Sequence, residues 1–150
     1  MEYQGLFTDM AITVGLGRMK PDEKKLIEVT RKALDLAIKT ARPGKTLGDI
    51  GYAIESYAKK NDLKVIRDLV GHGVGYAVHE DPPVFNYGEK GKGMKIEAGL
   101  VIAIEPMLTY DNGAVKENSD ASFATLNGKK ACHFEHTVVI TKKGPVVLTK

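Results

Sequence analysis

The sequence has little cysteine, no strong excess of charge of one sign and no long apolar run. A single cysteine, Cys132, excludes an internal disulfide and fits a reducing compartment. The net charge of +3 is too small to indicate a nucleic-acid partner. No apolar run approaches the ~18 residues of a membrane-spanning helix, and residues 1–17 lack the basic start and apolar core of a secretory signal. We therefore expect a cytoplasmic protein that uses neither nucleic acid nor a membrane.

The remaining composition is that of an ordinary folded chain. Its 150 residues, 43% of them apolar and 27% charged, suit one domain spanning residues 1–150. One helix is predicted from Pro21 to the stop signal at Arg42-Pro43-Gly44. A second is predicted after the Thr46–Asp49 capping box, and it ends at Asn61-Asp62.

Most of the remaining chain carries strand signals. Residues 6–14 read as one strand, and residues 99–106 and 134–140 read as two more. Asp111-Asn112-Gly113 and Asn127-Gly128 are typical of hairpin turns. We expect an α+β fold in which the two helices cover a sheet.

A glycine-rich stretch holds two histidines, His72 and His79, seven residues apart. Glycines at 71, 73 and 75 allow a close approach of the backbone, because no Cβ stands in the way. Pro82-Pro83 predicts that the segment ends in a rigid turn. Two interpretations are equally good on this stretch alone: a loop or bulged strand that holds two imidazoles over a cleft, or a connection with two surface histidines.

Carboxylates elsewhere in the chain favour the first interpretation. Asp9, Glu105 and Glu135 each lie inside an otherwise apolar strand pattern. Burying unpaired carboxylates together is unfavourable unless a cation neutralises them, and neither helix offers an obvious buried lysine or arginine. His72 would add a nitrogen ligand, and the mixed set suits Mn, Fe, Co or Zn. Such a metal would activate water for amide hydrolysis.

The other histidines receive different interpretations. His79 would lie near the metal without binding it, where it hydrogen-bonds the substrate or a developing oxyanion, although a purely structural histidine is the alternative. We assign His133 and His136, which flank Glu135, to the opposite face of the strand, with packing or surface roles. Cys132 is also assigned to that opposite face, as a small packed thiol.

Four segments together carry a family resemblance. The chain resembles the methionine aminopeptidases of the pita-bread fold, peptidase family M24, and is more similar to their type I than to type II. The similarity covers nearly the whole chain and rests on Gly71-His72-Gly73-Val74-Gly75 with His79-Glu80, on Ile104-Glu105-Pro106-Met107, on Phe134-Glu135-His136-Thr137, and on the strand Gly5–Thr13.

The resemblance implies both a fold and a site. The fold would be the C-terminal half of a pita bread, a curved antiparallel sheet covered by two helices. Asp9, His72, Glu105 and Glu135 would bind divalent metal, with Asp9 and Glu135 bridging two ions. His79 would be catalytic and contact the substrate amide, Glu135 would also help to activate water, and Phe123 would lie near the methionine pocket. The implied activity is removal of methionine from the N-termini of peptides and nascent proteins.

The chain also departs from the family pattern. An aspartate expected about eleven residues before Asp9 would fall before Met1, as would the family's N-terminal half. We therefore expect one tight metal site and an incomplete second one. We also expect association, either with a second copy or with a separate N-terminal half, because the N-terminal strand exposes an edge. The alternative function is that of a catalytically inactive pita-bread binding module.

Overall fold

The computed structural model describes residues 1–150 as two helices and thirteen short strands. In chain order these are β1 (Glu2–Tyr3), β2 (Leu6–Phe7), β3 (Met10–Ala11), α1 (Pro21–Thr40), α2 (Leu47–Lys60), β4 (Lys64–Val65), β5 (Gly71–Gly73), β6 (Glu80–Val84), β7 (Val101–Ile104), β8 (Met107–Thr109), β9 (Val115–Glu117), β10 (Phe123–Thr125), β11 (Ala131–His133), β12 (Glu135–Thr141) and β13 (Gly144–Val147).

Both helices begin and end where the sequence predicts. At the start of α1 the backbone N–H of Lys20 donates to the carboxylate of Glu23 at 2.8 Å. At the start of α2 the Thr46 N–H donates to Asp49 Oδ2 at 2.9 Å, and the Asp49 N–H donates to Thr46 Oγ1 at 3.3 Å. These reciprocal bonds satisfy backbone donors that a helix N-terminus leaves free.

One six-stranded antiparallel sheet forms the centre of the fold. Its strands run in the order β13-β12-β7-β5-β6, and β3 pairs with the start of β12. A smaller sheet, β11-β8-β4, continues from it, and both helices pack against these sheets around a shared core. Fully buried aliphatic side chains from both layers fill that core: Ile50, Ile54, Ile102, Leu108 and Val138. The α+β prediction is confirmed.

The N-terminal strand is less regular than predicted. Residues 6–14 form β2 and β3, with a break at Thr8-Asp9, rather than one continuous strand. The two faces of an extended segment nevertheless differ, because Asp9 is half-buried whereas Met10, Ile12 and Val14 are exposed. This segment therefore has one face towards the sheet and one apolar face towards solvent.

Pro82 and Pro83 do not end the segment in a turn, contrary to the prediction. They lie inside β6, which pairs with β5 only. An edge strand tolerates proline because the missing N–H leaves no partner unsatisfied. The register between β5 and β6 shifts between Gly71 and Gly73, so the interpretation of this region as a bulged strand is confirmed.

The two predicted hairpin turns are wrong. The segments 107–117 and 123–133 run antiparallel, with β8 pairing β11 and β9 pairing β10. The chain reverses direction at residues 118–122. Asp111-Asn112-Gly113 instead lies between β8 and β9, and Asn127-Gly128 lies between β10 and β11. Within the first of these segments the Gly113 N–H bonds Asp111 Oδ1, a local turn that the sequence signal described correctly. No helix in the structure combines the length and the apolar character that spanning a membrane requires.

Candidate metal centre

The glycines on either side of His72 are required by close packing of three strands. A Cβ on Gly71 would lie 2.3 Å from the carbonyl oxygen of Ala103 in β7, and one on Gly73 would lie 2.2 Å from that of Asp81 in β6. Real Cβ atoms essentially never come so close to a backbone oxygen. The glycines therefore let β5 lie between its neighbours and fix the backbone from which His72 projects.

One nitrogen of His72 is held by the chain, and the other faces a carboxylate. Nδ1 lies 2.9 Å from the carbonyl oxygen of Gly73, which can only accept a hydrogen bond, so Nδ1 carries the proton. Nε2 is then free to act as a ligand and lies 3.4 Å from Oε1 of Glu105. A hydrogen bond to one ring nitrogen that orients the other is typical of metal-binding histidines.

Glu105 and Glu135 approach the same point from neighbouring strands. Glu105 directly follows β7, Glu135 begins β12, and their residues are only 8% and 4% exposed. Their carboxylates and the His72 ring can each offer an atom such that the three atoms lie within 4.8 Å of one another. Oε1 of Glu135 is buried and has no hydrogen-bond partner. A buried carboxylate oxygen without a partner is unfavourable, so this site lacks a compensating positive group.

The raised pKa of Glu135 also indicates that no positive group neutralises its carboxylate. Burial, together with the nearby carboxylates of Glu105 and Asp9, raises the pKa of Glu135 to about 8. Without a cation this carboxyl is therefore mainly protonated at neutral pH.

Asp9 reaches the site through a backbone anchor. Its N–H donates to Thr137 Oγ1 at 2.8 Å, and the same hydroxyl donates to the Asp9 carbonyl at 2.7 Å. This two-way bond ties the N-terminal segment to β12 beside Glu135. Ligand atoms of Asp9, His72 and His79 lie within 4.8 Å of one another, so Asp9 belongs to the same cluster as His72.

His79 lies at the exposed side of the cluster. Its ring centroid is 4.3 Å from that of His72, and the two rings meet edge to face at 66°. Because the residue is exposed, its imidazole can contact a molecule that enters from solvent. The structure thus brings together the two histidines that the glycine-rich stretch carries.

A cavity of about 480 Å³ opens beside these side chains. His72, His79 and Glu105 form its polar end, and Phe123, half exposed on β10, lies among the other lining residues. The remaining wall is largely apolar and includes Ile66, Leu69, Val70, Met107 and Val115. No lysine or arginine lines the cavity, so no permanently charged cation lies beside the carboxylates there.

One residue at this site was misassigned from the sequence. His133 does not point away from Glu135: its Nε2 lies 3.1 Å from Glu105 Oε2 and 4.0 Å from Glu135 Oε2, and its ring lines the cavity. The signal was available, because residues two apart in extended chain share a face. His136, at an odd offset, does face away and contacts Thr149 Oγ1, and Cys132 is a buried thiol as predicted.

The donor set fits a divalent metal. It combines one free imidazole nitrogen with several carboxylate oxygens, one of them buried and unpartnered, and no cationic side chain lies in the cavity beside them. Borderline divalent ions accept this mixture of nitrogen and oxygen donors. Fold and site together therefore define a metal-dependent protein built on a curved antiparallel sheet.

Comparison with known proteins gives the family. Residues 1–142 match the model of metallopeptidase family M24. The chain belongs to metallopeptidase family M24, and the resemblance seen in the sequence is confirmed. It is 42% identical over 147 residues to methionine aminopeptidase 1 of Bacillus subtilis and 46% identical over 153 residues to the methionine aminopeptidase of Aquifex aeolicus. It spans 97% and 99% of its own length in these matches, but only 59% and 58% of theirs.

Solved structures agree on the fold. The methionine aminopeptidase of Thermotoga maritima matches with a TM-score of 0.96 at 42% identity, over 99% of this chain and 60% of that one. The prolidase of Pyrococcus furiosus matches with a TM-score of 0.76 at 25% identity, over 99% of this chain and 38% of that one. The fold is thus of the pita-bread type. The chain covers one part of that fold, a curved antiparallel half-barrel with two helices.

Proposed function

We propose that this chain is a metal-dependent aminopeptidase that removes N-terminal methionine from peptides and nascent proteins. The observation that carries the proposal is the convergence of His72, Glu105 and Glu135, with a buried carboxylate oxygen that lacks a partner. The names of the relatives, methionine aminopeptidases, supply the substrate class. Residues 1–150 would act as one partial pita-bread domain, in the cytoplasm, where nascent chains are made.

Four residues would hold the metal: Asp9, His72, Glu105 and Glu135. A bound Mn, Fe, Co or Zn ion would supply Lewis acidity and an activated water for amide hydrolysis. We propose one tight site, which these four residues would form together. A second ion would find only the carboxylates of Asp9 and Glu135, too few donors for strong binding.

The chain's own side chains would divide the remaining tasks. Glu135, ionised when it holds the metal, would take a proton from the attacking water and pass it on. His79 reaches the centre from solvent, where its N–H would donate to the substrate amide and to the oxyanion that forms on attack. The apolar cavity wall with Phe123 would receive the methionine side chain.

The chain alone is proposed to be weakly active until a second segment associates with it. Met10, Ile12 and Val14 expose 48%, 62% and 65% of their surface on one face of the N-terminal segment. A row of exposed apolar residues on a sheet segment is typical of an interface. We propose that its partner is a segment outside residues 1–150 that completes the sheet. Ile12→Lys should keep the fold and abolish binding of a separate N-terminal half, measured by analytical ultracentrifugation. A stable homodimer of the 150-residue chain would instead make a second copy the partner.

The decisive assay is methionine release. Metal-free protein is loaded with Mn²⁺, Fe²⁺, Co²⁺ or Zn²⁺ and incubated with a Met-Ala-Ser tripeptide, and free methionine is measured by mass spectrometry. We expect release that depends on metal and falls by 10²–10³-fold in His79→Ala. His136→Gln, the matched histidine on the far face, should behave as wild type. Metal binding without any release, alone and with the partner segment, would favour the inactive binding module.

A further inference from the structure

Two hydrogen bonds to the side chain of Thr13 fix the backbone of His133. Its N–H donates to Thr13 Oγ1 at 3.0 Å, and the Thr13 hydroxyl lies 2.7 Å from the His133 carbonyl oxygen, to which it donates. Pairing of His133 with Met107 across β11 and β8 fixes the residue from the other side. The imidazole therefore projects into the cavity from a constrained position.

Glu105 lies between two imidazoles, one at each carboxylate oxygen. Oε1 faces Nε2 of His72 at 3.4 Å, and Oε2 faces Nε2 of His133 at 3.1 Å. The His133 nitrogen is buried and makes no aligned hydrogen bond. His133 also stands outside both groups of ligand atoms that converge within 4.8 Å. Its place is therefore behind Glu105 and not at the shared point of the ligands.

We propose that His133 is a positioning residue of the metal centre: its Nε2–H donates to Oε2 of Glu105 and leaves Oε1 for the ion that His72 binds. This inference rests on the metal site of the proposed function. A carboxylate has two equivalent oxygens and can rotate or bind through either, so a donor on one oxygen selects the other as ligand. The 3.1 Å separation of His133 Nε2 and Glu105 Oε2 lies within the range of a hydrogen bond.

Two substitutions separate this role from the alternatives. His133→Gln keeps an N–H donor at the same place, and His133→Leu removes it while keeping an apolar body of similar size. Mn²⁺ affinity is measured by isothermal titration calorimetry on the full 150-residue protein, with urea unfolding of the metal-free forms as the check on folding. His136→Leu is the matched control.

We expect His133→Leu to weaken Mn²⁺ binding 10–100-fold and His133→Gln to stay within about threefold of wild type. Unchanged affinity in both variants would overturn the proposal, and an equal loss in both would make His133 a ligand itself. If wild-type protein bound no Mn²⁺, the metal site and this inference would fail together. Binding with the expected ranking but no methionine release would refute only the proposed activity.

Discussion

Replacement of Glu135 by glutamine tests the electrostatics of the centre in the metal-free protein. The side chain is 4% exposed, and its pKa is raised to about 8, against an ordinary value of 4.5. Because the folded state favours the neutral form, stability is greatest below pH 4.5 and declines as the pH rises through 8. A shift of this size corresponds to roughly 3.5 kcal/mol of unfolding free energy lost between pH 5 and pH 8, because the slope reaches about 1.4 kcal/mol per pH unit in the middle of this range and is smaller at both ends.

Glu135→Gln removes the ionisation while it keeps the shape. In EDTA, wild-type protein should lose this roughly 3.5 kcal/mol between pH 5 and pH 8, measured by urea unfolding followed by circular dichroism. The variant should lose far less over the same range. Subtracting the two curves removes contributions that are common to both proteins. Parallel curves for wild type and variant would refute the account of a strained, uncompensated carboxyl.

Three further changes test separate parts of the account. Gly71→Ala should destabilise the protein by about 1–3 kcal/mol in urea unfolding, because its Cβ would lie 2.3 Å from the Ala103 carbonyl oxygen; a neutral result would mean that β5 can move. His79→Ala should lower kcat without weakening Mn²⁺ binding, and a parallel loss of calorimetric affinity would make His79 a ligand. Thr46→Ala should cost about 1 kcal/mol in thermal unfolding through loss of the α2 cap, and an unchanged Tm would contradict the role of the capping box.

Much of the site could be predicted because its residues break local rules. A carboxylate within an apolar strand has no structural use, so Asp9, Glu105 and Glu135 stood out without any knowledge of their neighbours. The glycines beside His72 were informative for a similar reason, since the structure shows that a Cβ at either position would meet a backbone oxygen. The helix bounds followed from local capping chemistry.

The errors have non-local causes, with one exception. Which strand forms an edge depends on the whole sheet, and that decides whether Pro82 and Pro83 are tolerated in β6. The sequences around Asn112 and Asn127 do form turns, but each turn lies between two strands that do not pair with each other. Those strands pair instead with residues farther along the chain, β8 with β11 and β9 with β10. His133 was the exception, because its even spacing from Glu135 already placed both on one face.

A crystal structure of the protein grown with Mn²⁺ would show whether His72, Glu105 and Glu135 form one metal site. Anomalous diffraction should give one strong peak about 2.1 Å from His72 Nε2 and from carboxylate oxygens of Glu105 and Glu135. Glu135→Gln crystals should show that peak weakened or absent. No anomalous peak between these three side chains in wild-type crystals, or strong peaks only at surface carboxylates, would contradict the account.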